Sequence, residues 1–247
     1  MIFQIKLVEK VFRIKTVFDF SYYYSFDFLS QENHVDFYIE INMEEIETEY
    51  YRIRQLPSER TPAKNIRFIL GQIEHRLLLQ KIAEIIPLYS AFLFHGTIVT
   101  DYHYGYMFTA PSGTGKTTRA KLFIETIPGA KILNGDKPML ADINDRIIAY
   151  DTPWRGKEHM GINSSVPLGA IMIVERKMAD EKDSIVELKG KEAFPALLQQ
   201  IYIPYDDISR KETMRFLNSL DQKIKIYRFR GDPTPEAIKM AYDIVKK

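Results

Sequence analysis

Cysteine is absent from the 247 residues. Its absence excludes disulfide staples, thiolate metal sites and cysteine nucleophiles together, and fits a reducing compartment. An excess of charge is missing too: 34 Lys and Arg stand against 33 Asp and Glu, a formal net charge of +1. A general nucleic-acid surface or an anionic-membrane surface therefore has no compositional support. No apolar run reaches the roughly 18 residues of a membrane span. The opening stretch MIFQIKLVEK lacks the basic start, long apolar run and small-residue cleavage site of a signal peptide. The expectation is a soluble, cytoplasmic protein with neither nucleic acid nor membrane as a partner. What remains is an ordinary globular composition, 45% hydrophobic and 27% charged, ample for one large domain or two small ones.

The first forty residues favour strands. Ile2–Val8, Val11–Lys15 and Val35–Ile41 alternate apolar and polar residues. Met43–Tyr51 fits helix or strand. Leu56–Pro62 reads as a loop, because its two prolines remove backbone donors and restrict their neighbours. Apolar residues recur at helical spacing from Gln72 to Ile86. Two parts are expected: a small strand-rich α+β region over 1–75, and a larger domain over 76–247. The second part shows strands at Phe92–Val99, Tyr104–Thr109, Lys131–Leu133, Arg146–Tyr150, Leu168–Glu175 and Lys223–Phe229. Helical patterns occupy Lys116–Ile127, Lys191–Tyr202, Asp206–Leu220 and Thr234–Val245. Strands and helices alternate, so the fold class is α/β.

The most informative segment is Ala110-Pro111-Ser112-Gly113-Thr114-Gly115-Lys116-Thr117-Thr118. It matches the Walker A pattern, with Ala110 at the position usually held by glycine. Gly113 and Gly115 permit backbone conformations that aim successive N–H groups at phosphate oxygens. The helix that follows starts at the phosphates, its partial positive end facing them. Lys116 adds a full charge at the β/γ position, and the Thr117 hydroxyl suits Mg²⁺. Chance would produce this pattern in roughly two of a hundred chains of this length, and the strand before and helix after lower that further. Ser112, Gly113, Thr114, Gly115, Lys116, Thr117 and Thr118 are the expected nucleotide-phosphate contacts. A nucleoside triphosphate such as ATP, with Mg²⁺, is the expected ligand. No histidine shows zinc-ligand spacing.

An acidic residue ends the next strand, in Ile132-Leu133-Asn134-Gly135-Asp136-Lys137-Pro138, 20 residues after Lys116. This spacing, with Phe94-His95-Gly96 upstream, resembles the HPr kinase/phosphorylase catalytic domain. That domain shares its P-loop-containing mixed-sheet fold with the phosphoenolpyruvate carboxykinases. Tyr150-Asp151-Thr152-Pro153-Trp154-Arg155-Gly156-Lys157-Glu158 and Asn163–Leu168 are similar to a compact HPr kinase-like group. The resemblance spans about residues 90–245 and departs from the kinase pattern in two places: its adjacent aspartates are here Gly135 and Asp136, and its Arg-Gly-x-Gly stretch is matched only loosely by Arg155-Gly156.

The resemblance implies an ATP/Mg²⁺-dependent kinase. Its product would be a phosphorylated hydroxyl, Ser or Thr, on a small protein or peptide, with the N-terminal region recognising that acceptor. Asp136 would accept the hydroxyl proton or ligate Mg²⁺ with Thr117. His95 would orient Asp136 or the acceptor, Lys116 would stabilise charge on the transferring phosphoryl group, and Arg155 would supply a cis arginine to it. Asp136 is also expected beside the P-loop strand. A small-molecule kinase and a non-catalytic nucleotide-binding regulator remain the alternatives, and a homo-oligomer is compatible with either.

Overall fold

Period-two alternation in the first forty residues becomes a three-stranded sheet. β1 (Ile2–Leu7) and β2 (Lys10–Lys15) form an antiparallel hairpin, and β3 (Phe37–Glu40) runs parallel to β2. The computed structural model describes residues 1–54, 66–178 and 180–246. The loop expected at Leu56–Pro62 lies outside these residues. Helices α1 (Phe20–Tyr24), α2 (Met43–Arg54) and α3 (Ile66–Ile85) accompany the sheet.

The ambiguous acidic stretch folds as α2 because its start is capped from both sides. Glu45 donates its N–H to Asn42 Oδ1, and Asn42 donates its N–H to Glu45 Oε2, both at 3.0 Å. Ile46 then points into the core and is fully buried. The helix expected from Gln72 begins earlier, at Ile66. The chain folds as two compact units, Met1–Glu84 and Ile85–Lys247. Residues 76–84 are part of α3 and fall in the first unit.

The second unit contains β4 (Ala91–Leu93), β5 (Thr97–Thr100), β6 (Gly105–Thr109), α4 (Lys116–Thr126), β7 (Lys131–Asn134), β8 (Met139–Ile143) and β9 (Arg146–Tyr150). After them come β10 (Ser165–Glu175), β11 (Ser184–Leu188), α5 (Phe194–Leu198), α6 (Asp207–Lys223), β12 (Lys225–Arg230) and α7 (Pro235–Val245). The strands make one mixed sheet in the order β4-β8-β9-β10-β6-β5-β7, with β12 beside β10 and β11 beside β12. β10 is parallel to β6 and β12 and antiparallel to β9.

Alternation along the central strands sends side chains into two cores. Tyr106, Phe108, Ala170 and Met172 pack with Phe123 of α4 and Ile238 and Ala241 of α7. Met107, Ile171 and Ile173 pack with Phe216, Leu217 and Leu220 of α6 on the other face. This layering holds β6 buried along its whole length. The loop that leaves β6 therefore starts from a rigid support.

Four expectations require correction. Phe92–Val99 is two strands: β4 pairs with β8, and β5 with β6 and β7. Between them His95 and Gly96 donate their N–H groups to Gln200 O and Asp136 O. The helix expected over Lys191–Tyr202 is reduced to Phe194–Leu198, because Ile201 bridges Phe94 and Tyr202 donates to Leu93 O. The strand before Asp136 is not next to the P-loop strand, since β5 lies between β7 and β6. Finally, β8 and β11 are strands that the alternation had not marked. β8 is short and follows Pro138, and β11 exposes Val186.

Candidate functional site

β6 delivers the chain to the glycine-rich loop, and α4 begins at Lys116. Gly113 and Gly115 have φ of 78° and 89°, in the left-handed region that disfavours side chains. Ala110 is buried and its φ is negative, so alanine fits the first position of the pattern. Ser112 and Gly113 are exposed, Thr114, Gly115 and Thr117 half-buried, and Thr118 exposed. Among the described residues, no N–H from Gly113 to Thr118 donates to a protein acceptor. The loop's carbonyls turn the other way. Lys116 Nζ donates to Ala110 O at 2.8 Å and Pro111 O at 3.3 Å, and Thr114 Oγ1 donates to Pro111 O at 2.9 Å. The loop thus has two carbonyls bonded within it and a run of amides with no protein acceptor.

Asp136 stands on a turn that Asn134 builds. Asn134 is fully buried, and its Oδ1 accepts the N–H groups of Asp136 and Lys137, both at 2.8 Å. Thr97 Oγ1 donates to Gly135 O, and Gly96 donates its N–H to Asp136 O. The turn is thus held by other groups, and the Asp136 carboxylate is left to face His95. Their Nε2–Oδ1 separation is 3.4 Å. A Cβ at position 135 would lie 2.6 Å from Arg155 O and 3.2 Å from Met160 O. The approaching backbone excludes a second aspartate there.

His95 is fixed on several sides. Its N–H donates to Gln200 O at 2.6 Å, its Nδ1 lies 3.1 Å from Gln200 Oε1, and Thr109 Oγ1 donates to its carbonyl at 2.8 Å. Thr109 ends β6, so the histidine is tied directly to the strand that leads into the glycine-rich loop.

Arg155 takes another direction. Its Nε and Nη2 donate to Asp151 Oδ2 at 3.0 and 2.7 Å. Asp151 Oδ1 accepts from Asn134 Nδ2 and the Thr152 N–H, and Oδ2 accepts the Asn163 N–H. This buried network braces the 151–163 loop behind the Asp136 turn.

Charges concentrate around the loop. Burial, then the charges of Lys137 and Lys116, push the His95 pKa down against the pull of Asp136, which favours a neutral ring. Burial also pushes Lys116 down, and Asp136 opposes it. Lys137 is lowered by burial and has no ion-pair partner among the described residues. Burial raises the Asp151 pKa despite the Arg155 guanidinium. Lys116, Asp136, His95 and Lys137 thus interact as one electrostatic group. Gln200, Asn134, Asp151 and Thr109 support it and were not singled out by sequence pattern. Asn134 and Asp151 do lie inside the 132–138 and 150–158 segments, whereas Gln200 joins from 105 residues away along the chain.

No protein-family model matches the chain, and no curated protein matches it either. Among solved structures it is similar to the Hpr(Ser) kinase/phosphatase from Coxiella burnetii, at 9% sequence identity and a TM-score of 0.36. That match covers 62% of this chain and 93% of the other. Among the described residues, no helix is long and apolar enough to cross a membrane, and no group of three or more His, Asp or Glu could by itself hold a metal. A hydroxyl at Thr117 and a carboxylate at Asp136 are hard oxygen donors. They suit Mg²⁺ that completes its shell with phosphate oxygens and water.

Proposed function

We propose that the chain is an ATP/Mg²⁺-dependent kinase that phosphorylates a Ser or Thr hydroxyl of a small protein or peptide. The observation that carries this reading is the outward-facing run of amides above Lys116, with the Asp136–His95 pair joined to the same strand. Phosphoryl transfer needs positioning, charge neutralisation and a proton acceptor more than covalent help.

The amides from Gly113 to Thr118 hold the phosphates. Lys116 neutralises charge that moves onto the β-phosphate as the β–γ bridging bond breaks and ADP leaves. Asp136 takes the proton of the acceptor hydroxyl as that oxygen bonds the γ-phosphorus. His95, held by Gln200, keeps the Asp136 carboxylate in place. Thr117 and Asp136 offer the oxygen donors that would hold Mg²⁺, which when bound would supply charge neutralisation to the triphosphate.

The test is phosphate transfer from labelled ATP to candidate peptides and proteins, read by mass spectrometry. Lys116→Ala should weaken ATP binding by roughly tenfold or more. Asp136→Asn should keep binding and lose at least about 100-fold in transfer. Transfer by Asp136→Asn at the wild-type rate would refute the assigned base.

A further inference from the structure

Arg119 is a buried cation without a salt bridge among the described residues. It is 6% exposed. Nη1 donates to Thr114 O at 3.1 Å and Gly115 O at 3.3 Å, and Nη2 donates to Gly231 O. The guanidinium carbon sits 5.7 Å from the centre of the Phe229 ring, while Nε is buried with no hydrogen-bond partner. A desolvated guanidinium ordinarily takes a carboxylate, because removing its charge from water is expensive. Here main-chain carbonyls take the contact positions, two of them in the glycine-rich loop, while the carboxylates of Asp232 and Asp183 act on it only through space.

The peptide plane gives this arrangement its meaning. In a trans peptide the C=O and N–H point in opposite directions. The unit that contributes Thr114 O carries the Gly115 N–H, and the unit that contributes Gly115 O carries the Lys116 N–H. A cation on both oxygens turns both N–H groups outward and polarises them as donors. These two amides are among those with no protein acceptor. Lys116 secures the carbonyls at the other end of the loop, Ala110 and Pro111. The third carbonyl, Gly231 O, lies between β12 and α7, so the same guanidinium joins the loop to a second segment of the sheet.

We infer that Arg119 is a positioning residue for the nucleotide phosphates. It sets and polarises the Gly115 and Lys116 amides from behind, without touching the ligand. The inference rests on the phosphate-loop reading above. A lysine at 119 keeps the charge but cannot reproduce the planar fork that reaches three carbonyls. A methionine keeps bulk and loses both charge and donors.

The experiment measures MgADP affinity by calorimetry on the full chain, for wild type, Arg119→Lys and Arg119→Met. The amide ¹H and ¹⁵N shifts of Gly115 and Lys116 are recorded in the same proteins. Arg119→Lys should bind roughly 3- to 10-fold more weakly and Arg119→Met roughly 30-fold or more, the range expected when charge-assisted contacts are lost. Both amide protons should move upfield as the polarisation falls. If Arg119→Met does not fold, Arg119→Lys decides. Wild-type affinity with unmoved amide shifts in Arg119→Lys overturns the positioning role alone. A wild type that binds no MgADP overturns the phosphate-loop reading, and this inference with it.

Discussion

Glu74 shows how one side chain can set the pH response of its unit. It is fully buried and accepts the Val17 N–H at 2.6 Å and the Phe18 N–H at 3.2 Å. Burial outweighs these bonds and raises its pKa from 4.5 to about 7. The folded state therefore holds a proton that the unfolded chain releases between pH 4.5 and 7. Stability falls as pH rises through that window and levels off above it. The drop should be on the order of 3 kcal/mol. Glu74→Gln is neutral at every pH, so urea midpoints between pH 4.5 and 8 should lose this slope. An unchanged slope would exclude Glu74 as its source. At this scale the sequence showed the contiguous parts of the site. Gly113, Gly115, Lys116 and Thr117 stand in one run, and their spacing is itself the chemistry. Gln200 was silent because its partner His95 lies 105 residues away; Arg119 lies close to the loop, but its bonds go to main-chain carbonyls, one of them 112 residues away, which no residue pattern marks.

At the scale of elements, the turn between β7 and β8 matters most. Asn134 satisfies two backbone donors there and donates to Asp151. Asn134→Ala strands these groups in a buried place, where each unsatisfied group costs about 1–3 kcal/mol. Urea unfolding should show a loss of about 2–4 kcal/mol, and phosphate transfer should fall with it, since Asp136 loses its support. A stability unchanged within about 0.5 kcal/mol would mean the turn holds itself. Regular elements with strong periodicity or clear caps were legible: α4, α6 behind Asp206, and α7 behind Thr234. The break in Phe92–Val99 was not, because every residue from Phe92 to Phe94 and from Gly96 to Val99 is buried. A continuous apolar run gives no sign of where a ladder changes partner. Tertiary pairing with Gln200–Tyr202 likewise overrides the helical pattern after Leu198.

On the scale of the whole molecule, each unit carries its own buried core, and the glycine-rich loop lies in Ile85–Lys247. A ligand that binds only the folded state at a hundred times its dissociation constant adds about 2.7 kcal/mol. Saturating MgATP should therefore raise the melting of Ile85–Lys247 by about 5–10 °C, while the transition of Met1–Glu84 stays in place. Calorimetry with and without Mg²⁺ checks this, and Lys116→Ala should remove most of the shift. An absent shift in the wild type would contradict nucleotide binding. The mixed α/β character and the small leading sheet were readable from alternation and periodicity. The strand order was not, because local pattern carries no record of which edge a strand joins.

The ammonium of Lys116 already has occupants, the carbonyls of Ala110 and Pro111. An ammonium carries three N–H groups, and these two bonds use only two of them. The third is spare, so a guest could be met without either existing bond being given up. The same side chain can brace its own backbone and still reach beyond it.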